Sequence, residues 1–124
     1  MRLLLDTHVL LWWLDGHPMS DEAVNAISDP DNEVFVSAAT VWEISIKTEK
    51  GKLRINDGFM QILNENAILM LPITWGHGLS AGSLQLHHRD PFDRMLVAQA
   101  QAETLTLVTR DEKLLNYNVD VLVA

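Results

Sequence analysis

The chain reads as an α/β protein built on a parallel sheet, and three observations predict it. Short apolar runs alternate with longer stretches of helical apolar spacing along the whole length. Capping and turn residues (Asp15-Gly16, Asp29-Pro30-Asp31-Asn32, Asp90-Pro91) punctuate the boundaries. Four acids, Asp6, Glu43, Asp93 and Asp111, each lie at or just beyond a place where a strand-like run gives way to a helix-like one. Strands of a parallel sheet share one direction and their connecting helices run back, so all such junctions meet at the carboxyl edge, where ligands of these folds bind.

Residues 2–6 form the first predicted strand, ending at Asp6, and residues 7–14 a helix stopped by Asp15 and Gly16. Ser20, Asp21 and Glu22 open a second helix that continues through Ala23, Val24, Ala26 and Ile27. Val34, Phe35 and Val36 supply the second strand, after which Ser37 or Thr40 caps a helix running to Gly51, with Glu43 in its first turns and Trp42 directed to the core. A helix is expected over 56–66, a third strand over 68–71 closed by Pro72, and a Gly-interrupted helix over 74–86. Asp90-Pro91-Phe92-Asp93 places Asp at the N-cap, Pro at the first helical position and Asp at the third, ahead of Met95, Leu96, Val97, Ala98 and Ala100. Residues 105–108 form the fourth strand, 110–115 a helical turn or two, and 119–123 the last strand.

At 124 residues and 48% hydrophobic, the sequence is sized for a single domain over 1–124, which buries roughly two-thirds of the surface of its unfolded chain. No apolar run approaches the ~20 residues that span a bilayer, and the opening run meets Asp6 too early for a signal peptide, so a soluble cytoplasmic protein is expected. The absence of cysteine excludes disulfides, zinc–thiolate sites and thiol nucleophiles. A formal charge of −8 disfavours a general nucleic-acid coat, which needs Lys and Arg to neutralise phosphates. The basic residues are nevertheless grouped, Lys47, Lys50, Lys52 and Arg54 in one set and Arg89, Arg94, Arg110 and Lys113 around the two late acids. They either border an acidic pocket or are ordinary solvated charges.

Each acid alone has two readings. Asp6 is a metal ligand at a rigid strand end or a cap of the next helix, and Glu43 is a ligand or a surface partner of Lys47. Asp93 is a ligand or a favourable charge in a helix's first turn, and Asp111 is a ligand or a cap. Asp90 is accounted for by its N-cap position. Together, four converging carboxylates repel one another unless a hard cation lies between them, and oxygen-ligated Mg²⁺ or Mn²⁺ resolves that repulsion. Such a site suits phosphodiester hydrolysis by water, with no protein nucleophile. Thr7, Thr109, Arg94 and Arg110 are the candidates for contacts to a ligand carboxylate or to a substrate phosphate. His87 and His88, just before the Asp90 helix, either act near substrate or, as loop histidines more often are, are solvated, and His8, His17 and His77 show no metal-ligand spacing. Adjacent Trp12 and Trp13 cannot both enter one core from one helix, so at least one borders a groove or an interface.

Four segments in order, Leu-Leu-Leu-Asp6-Thr7-His8, Ser-Ala-Ala-Thr-Val-Trp-Glu43-Ile, Asp90-Pro-Phe-Asp93-Arg-Met-Leu-Val-Ala-Gln-Ala and Leu-Val-Thr109-Arg110-Asp111, resemble the PIN-domain proteins, specifically the VapC-type toxins of toxin–antitoxin modules. The resemblance spans essentially the whole chain. It implies a three-layer α/β/α fold with a short, mainly parallel sheet, Mg²⁺- or Mn²⁺-dependent endoribonuclease activity, and inhibition by a small antitoxin. Homodimers, or toxin–antitoxin hetero-oligomers, are implied as well. It maps the family's acids onto Asp6, Glu43, Asp93 and Asp111, and its Ser or Thr near the last acid onto Thr109. Two other functions compete. A phosphatase or phosphoacceptor would use Asp6 as nucleophile, although the phosphatase pattern expects a second Asp where His8 stands. A non-catalytic scaffold would bind RNA or a partner without cleavage. An acidic groove with apolar rims would suit a basic amphipathic antitoxin segment.

Overall fold

A computed structural model describes residues 1–124. Its elements follow in the order β1 (Arg2–Leu5), α1 (Thr7–Asp15), α2 (Asp21–Ser28), β2 (Glu33–Ser37), α3 (Ala38–Glu49), α4 (Phe59–Glu65), β3 (Leu69–Leu71), α5 (Trp75–Ser83), α6 (Pro91–Glu103), β4 (Thr106–Thr109), a 3-10 turn Glu112–Asn116 and β5 (Val121–Val123). The five strands are all parallel in the order β3-β2-β1-β4-β5. β1 is therefore the middle strand, with Leu4 opposite Phe35 on one side and Leu107 on the other.

Why β1 is central follows from Leu3-Leu4-Leu5. Successive side chains of a strand point to opposite faces, and a strand apolar at every position is stable only where both faces are covered. Leu3 and Leu5 pack with Val9 and Leu10 of α1, Ala23 and Ile27 of α2, Ile44 of α3, and Phe59 and Leu63 of α4. Leu4 faces the opposite layer with Leu96, Val97 and Ala100 of α6, Leu107 and Leu114. α5 packs on α6, which completes an α/β/α sandwich. No helix is long and apolar enough to cross a membrane.

The caps expected from sequence form as hydrogen bonds. Ser20 Oγ accepts from the Ala23 N–H at 3.1 Å, and Ser37 rather than Thr40 caps α3, accepting from the Ala39 N–H at 3.0 Å. Gly16, at φ 67°, closes α1 in the left-handed region that glycine enters without steric cost.

Several boundaries differ from expectation for local reasons. β4 begins one residue later and reaches Thr109, because Thr109 pairs with Val123 of β5. α4 is shorter than 56–66, since the Asn56 side chain takes the Gly58 N–H at 3.1 Å and forms a turn instead of a first helical residue. α5 starts after Thr74, whose hydroxyl and backbone exchange hydrogen bonds with His77, and it ends at Ser83 with Leu84 extended. β3 lacks Ile68, β5 is confined to Val121–Val123, and the late turn begins at Glu112. Trp42 is not in the core: it is 63% exposed and meets the Phe92 ring edge-on at 5.3 Å between centroids. The buried side of α3 is carried by Ala39, Thr40, Glu43 and Ile44, which leaves Trp42 on the outer side.

Candidate active site

Asp6 follows directly on β1, and its backbone N–H donates to Val108 O at 3.1 Å, which ties it to β4. Its side chain is 4% exposed and both oxygens are engaged: Oδ1 accepts from the Val9 N–H at 2.8 Å, and Oδ2 accepts from the Thr109 hydroxyl. The cap role and a place in the acidic site are thus held by one carboxylate. Burial raises its pKa above the usual carboxylate range, against the lowering effect of the Thr109 and Val9 donors; Asp111 adds a smaller push upward.

Glu43 lies on the buried side of α3 and is 5% exposed. Thr7 donates its hydroxyl to Oε1 at 2.7 Å, and Lys47 Nζ lies 2.8 Å from Oε2. The Lys47 pair exists, then, but on a buried carboxylate instead of a surface one.

Asp93 occupies the first turn of α6, where its N–H and that of Phe92 are taken by Asp90 Oδ1 at 3.1 and 2.8 Å. Its pKa is pushed up to about 7, first by burial and then by the negative charge of Asp90; Asp6 and Glu43 act in the same direction, and His88 opposes them. Asp6, Glu43, Asp90 and Asp93 therefore share one electrostatic environment. Asp111 caps the 3-10 turn, accepting from the Lys113 N–H at 3.0 Å, while its own N–H donates to Thr109 Oγ1 at 3.1 Å. Thr109 thereby links Asp6 and Asp111.

The residue that sequence reasoning weighed too lightly is His88. Its Nε2 lies 2.9 Å from Asp93 Oδ2 and 3.0 Å from Asp111 Oδ2, so it is no solvated loop histidine. The available signal was its position two residues ahead of the Asp90-Pro91 helix start, whose N-terminal turn carries Asp93. His77 is also buried, at 2% exposure, but its partners are Thr74 and Glu103 and its role is to fasten α5 to α6.

The polar candidates divide by where they are held. Thr7 and Thr109 contact carboxylates of the site, as described. Arg94 does not reach outward for phosphate: its terminal N–H groups donate to the carbonyls of Ala81, Leu84, Gln85 and His88 at 2.9 to 3.3 Å, closing the 84–90 segment against α6. Arg110 stays at the site. Its guanidinium lies over Trp12 at 4.2 Å and donates from Nε to Ala124 O and from Nη2 to Pro18 O, each at 3.0 Å. Together with Asp6, His8, Trp12 and Asp111 it lines an open cleft of about 290 Å³. Trp12 is accordingly the groove-lining member of the Trp12-Trp13 pair.

The donor set fits a hard divalent cation. Oxygen donors predominate, and the raised pKa values of Asp6 and Asp93 mark carboxylates whose charge is under-compensated within the protein. One side-chain nitrogen of His88 and one carboxylate oxygen each of Asp93 and Asp111 lie within 4.8 Å of one another.

A parallel α/β/α sandwich with carboxylates gathered at the carboxyl edge of its middle strands defines the class to which this molecule belongs. The PIN-domain family model matches residues 3–119, and the chain belongs to that family. Solved structures of similar fold include VapBC2 from Rickettsia felis bound to a DNA fragment from its promoter, at 18% identity and TM-score 0.77, covering 99% of this chain and 98% of that one. A toxin–antitoxin complex from Klebsiella pneumoniae matches at 20% identity and TM-score 0.70, over 97% and 95% of the respective chains. DNA-bound VapBC from Salmonella typhimurium matches at 14% and 0.71, over 99% and 98%. No curated protein matches the chain.

Proposed function

We propose that this chain is a divalent-metal-dependent endoribonuclease, the toxin of a toxin–antitoxin pair. The observation that carries the reading is the joint burial and engagement of Asp6 and Glu43 beside Asp93 and Asp111. Like charges of this kind are retained where a cation is needed. Asp6, Glu43 and Asp93 hold the cation, Mg²⁺ or Mn²⁺, and Asp111 completes its position or orients water. When bound, the cation supplies positive charge to a phosphodiester oxygen and to the attacking water.

The remaining residues act by positioning. Thr109 and the Val9 N–H fix both oxygens of Asp6, and Thr7 with Lys47 fixes those of Glu43, so neither carboxylate has to reorganise as charge develops at phosphorus. Arg110 is held by Trp12, Pro18 and Ala124 with Nη1 unengaged, and this N–H pair is offered to a substrate phosphate at the mouth of the cleft.

The VapBC and Klebsiella neighbours are toxin–antitoxin complexes, which supports a small antitoxin as partner; a homodimer is the assembly we expect. The test incubates the purified chain with a pool of structured and unstructured RNAs in Mg²⁺, Mn²⁺ or EDTA, beside Asp6→Asn, and sequences the fragment ends. Cleavage that requires both metal and Asp6 is expected. Metal-independent cleavage, cleavage by Asp6→Asn, or intact RNA under every condition would overturn the proposal.

A further inference from the structure

His88 is placed with more precision than a loop residue requires. Its backbone N–H donates to the Tyr117 hydroxyl at 3.0 Å, its carbonyl accepts from Arg94 at 3.3 Å, and its side chain is only 12% exposed. Tyr117 in turn donates to Gln85 O at 2.7 Å, so the segment carrying His88 is anchored on both sides. The ring is oriented as well: Nδ1 lies 3.3 Å from the Asp90 backbone N–H, which can only donate. That contact assigns the ring proton to Nε2, the nitrogen that faces Asp93 Oδ2 and Asp111 Oδ2 at 2.9 and 3.0 Å.

A histidine that ligates a metal does so through a bare nitrogen and carries its proton on the other one. Here that would require a proton on Nδ1, setting two N–H groups against each other across the 3.3 Å contact with Asp90. The Nε2–H instead stands where a cation would stand, shared between two carboxylates. We infer that His88 is a positioning residue that holds Asp93 and Asp111 together from the space between them, and that a divalent cation reaches Asp111 only by displacing its Nε2–H. The inference rests on the metal-site reading above and adds to it a built-in competitor that keeps the two acids in register before the metal arrives.

The direction of one affinity change decides it. Mn²⁺ binding to the purified chain, measured by calorimetry, is compared among wild type, His88→Ala and Asp93→Asn. Removing a competing charge-assisted donor should tighten Mn²⁺ binding by roughly tenfold. Weaker binding by His88→Ala would mean that the imidazole is a ligand, and unchanged binding that it is a bystander; either overturns the inference. In wild type, the ¹⁵N signals of the His88 ring provide a measurement independent of the variant's folding. The proton should remain on Nε2 after Zn²⁺ or Mg²⁺ is added, and its transfer to Nδ1 would overturn the inference. If Asp93→Asn binds Mn²⁺ as wild type does, the metal site itself fails, whatever His88→Ala does.

Discussion

Replacing Asp93 by Asn should stabilise the metal-free protein at neutral to alkaline pH while removing its response to metal. In the folded chain the pKa of Asp93 rises from the usual 3.8 to about 7. An acid whose folded pKa is raised binds its proton more tightly when folded. Its favourable contribution is therefore complete below the unfolded pKa and is lost as pH climbs through the folded one. At ~1.4 kcal/mol per pH unit, the shift sets a ceiling of roughly 4 kcal/mol, and screening by the water that reaches part of the side chain reduces the working figure to about 2 kcal/mol. Urea unfolding in EDTA, run on wild type and Asp93→Asn across the range from about pH 4 to 8, isolates this term as a difference between variants. The two should coincide near the acid end and separate by about 2 kcal/mol in favour of Asp93→Asn near the alkaline end. Mg²⁺ at ~100 times its dissociation constant then restores about 2.7 kcal/mol to wild type and much less to the variant. Parallel curves at all pH values, or a variant less stable at the alkaline end, would refute the reasoning that Asp93 is a buried, under-compensated charge.

Three further outcomes are expected. Thr109→Val removes the hydroxyl that donates to Asp6 and accepts from the Asp111 N–H; metal affinity by calorimetry should fall by roughly 10- to 100-fold with the circular dichroism spectrum unchanged. Leu4→Ala deletes a fully buried side chain of the middle strand and should cost about 2 to 5 kcal/mol in urea unfolding, a loss below 1 kcal/mol arguing against the two-sided burial of β1. Thr104 closes α6 at φ 55°, a conformation hostile to a β-branched residue, so Thr104→Gly should add about 1 kcal/mol and raise the melting temperature by a few degrees.

A mainly parallel sheet, and with it the edge where strand ends meet helix starts, was legible in one dimension. Leu3-Leu4-Leu5 demands two covered faces, Asp90-Pro91 fixes a helix start within a residue, and the parallel arrangement follows from strands separated by helices. Strand ends were less legible, because β4 owes Thr109 to its pairing with β5, a contact with a segment that local propensity does not see.

What the sequence determined by itself was therefore the fold class, and it singled out four acids as candidates, since both steps depend on local periodicity and on junctions between neighbouring elements. Tertiary structure alone decided who touches whom. Glu43 and Trp42 are adjacent, yet one is buried beside Thr7 and the other exposed, because only the packing of α3 on its neighbours chooses which side of a weakly patterned helix faces inward. Arg94 could be assigned to substrate until Ala81 of α5 and the segment after it were seen to offer it four carbonyls. His88 met Asp111 at a sequence separation of 23, a distance over which spacing holds no information and only the folded path brings an N–H to a carboxylate.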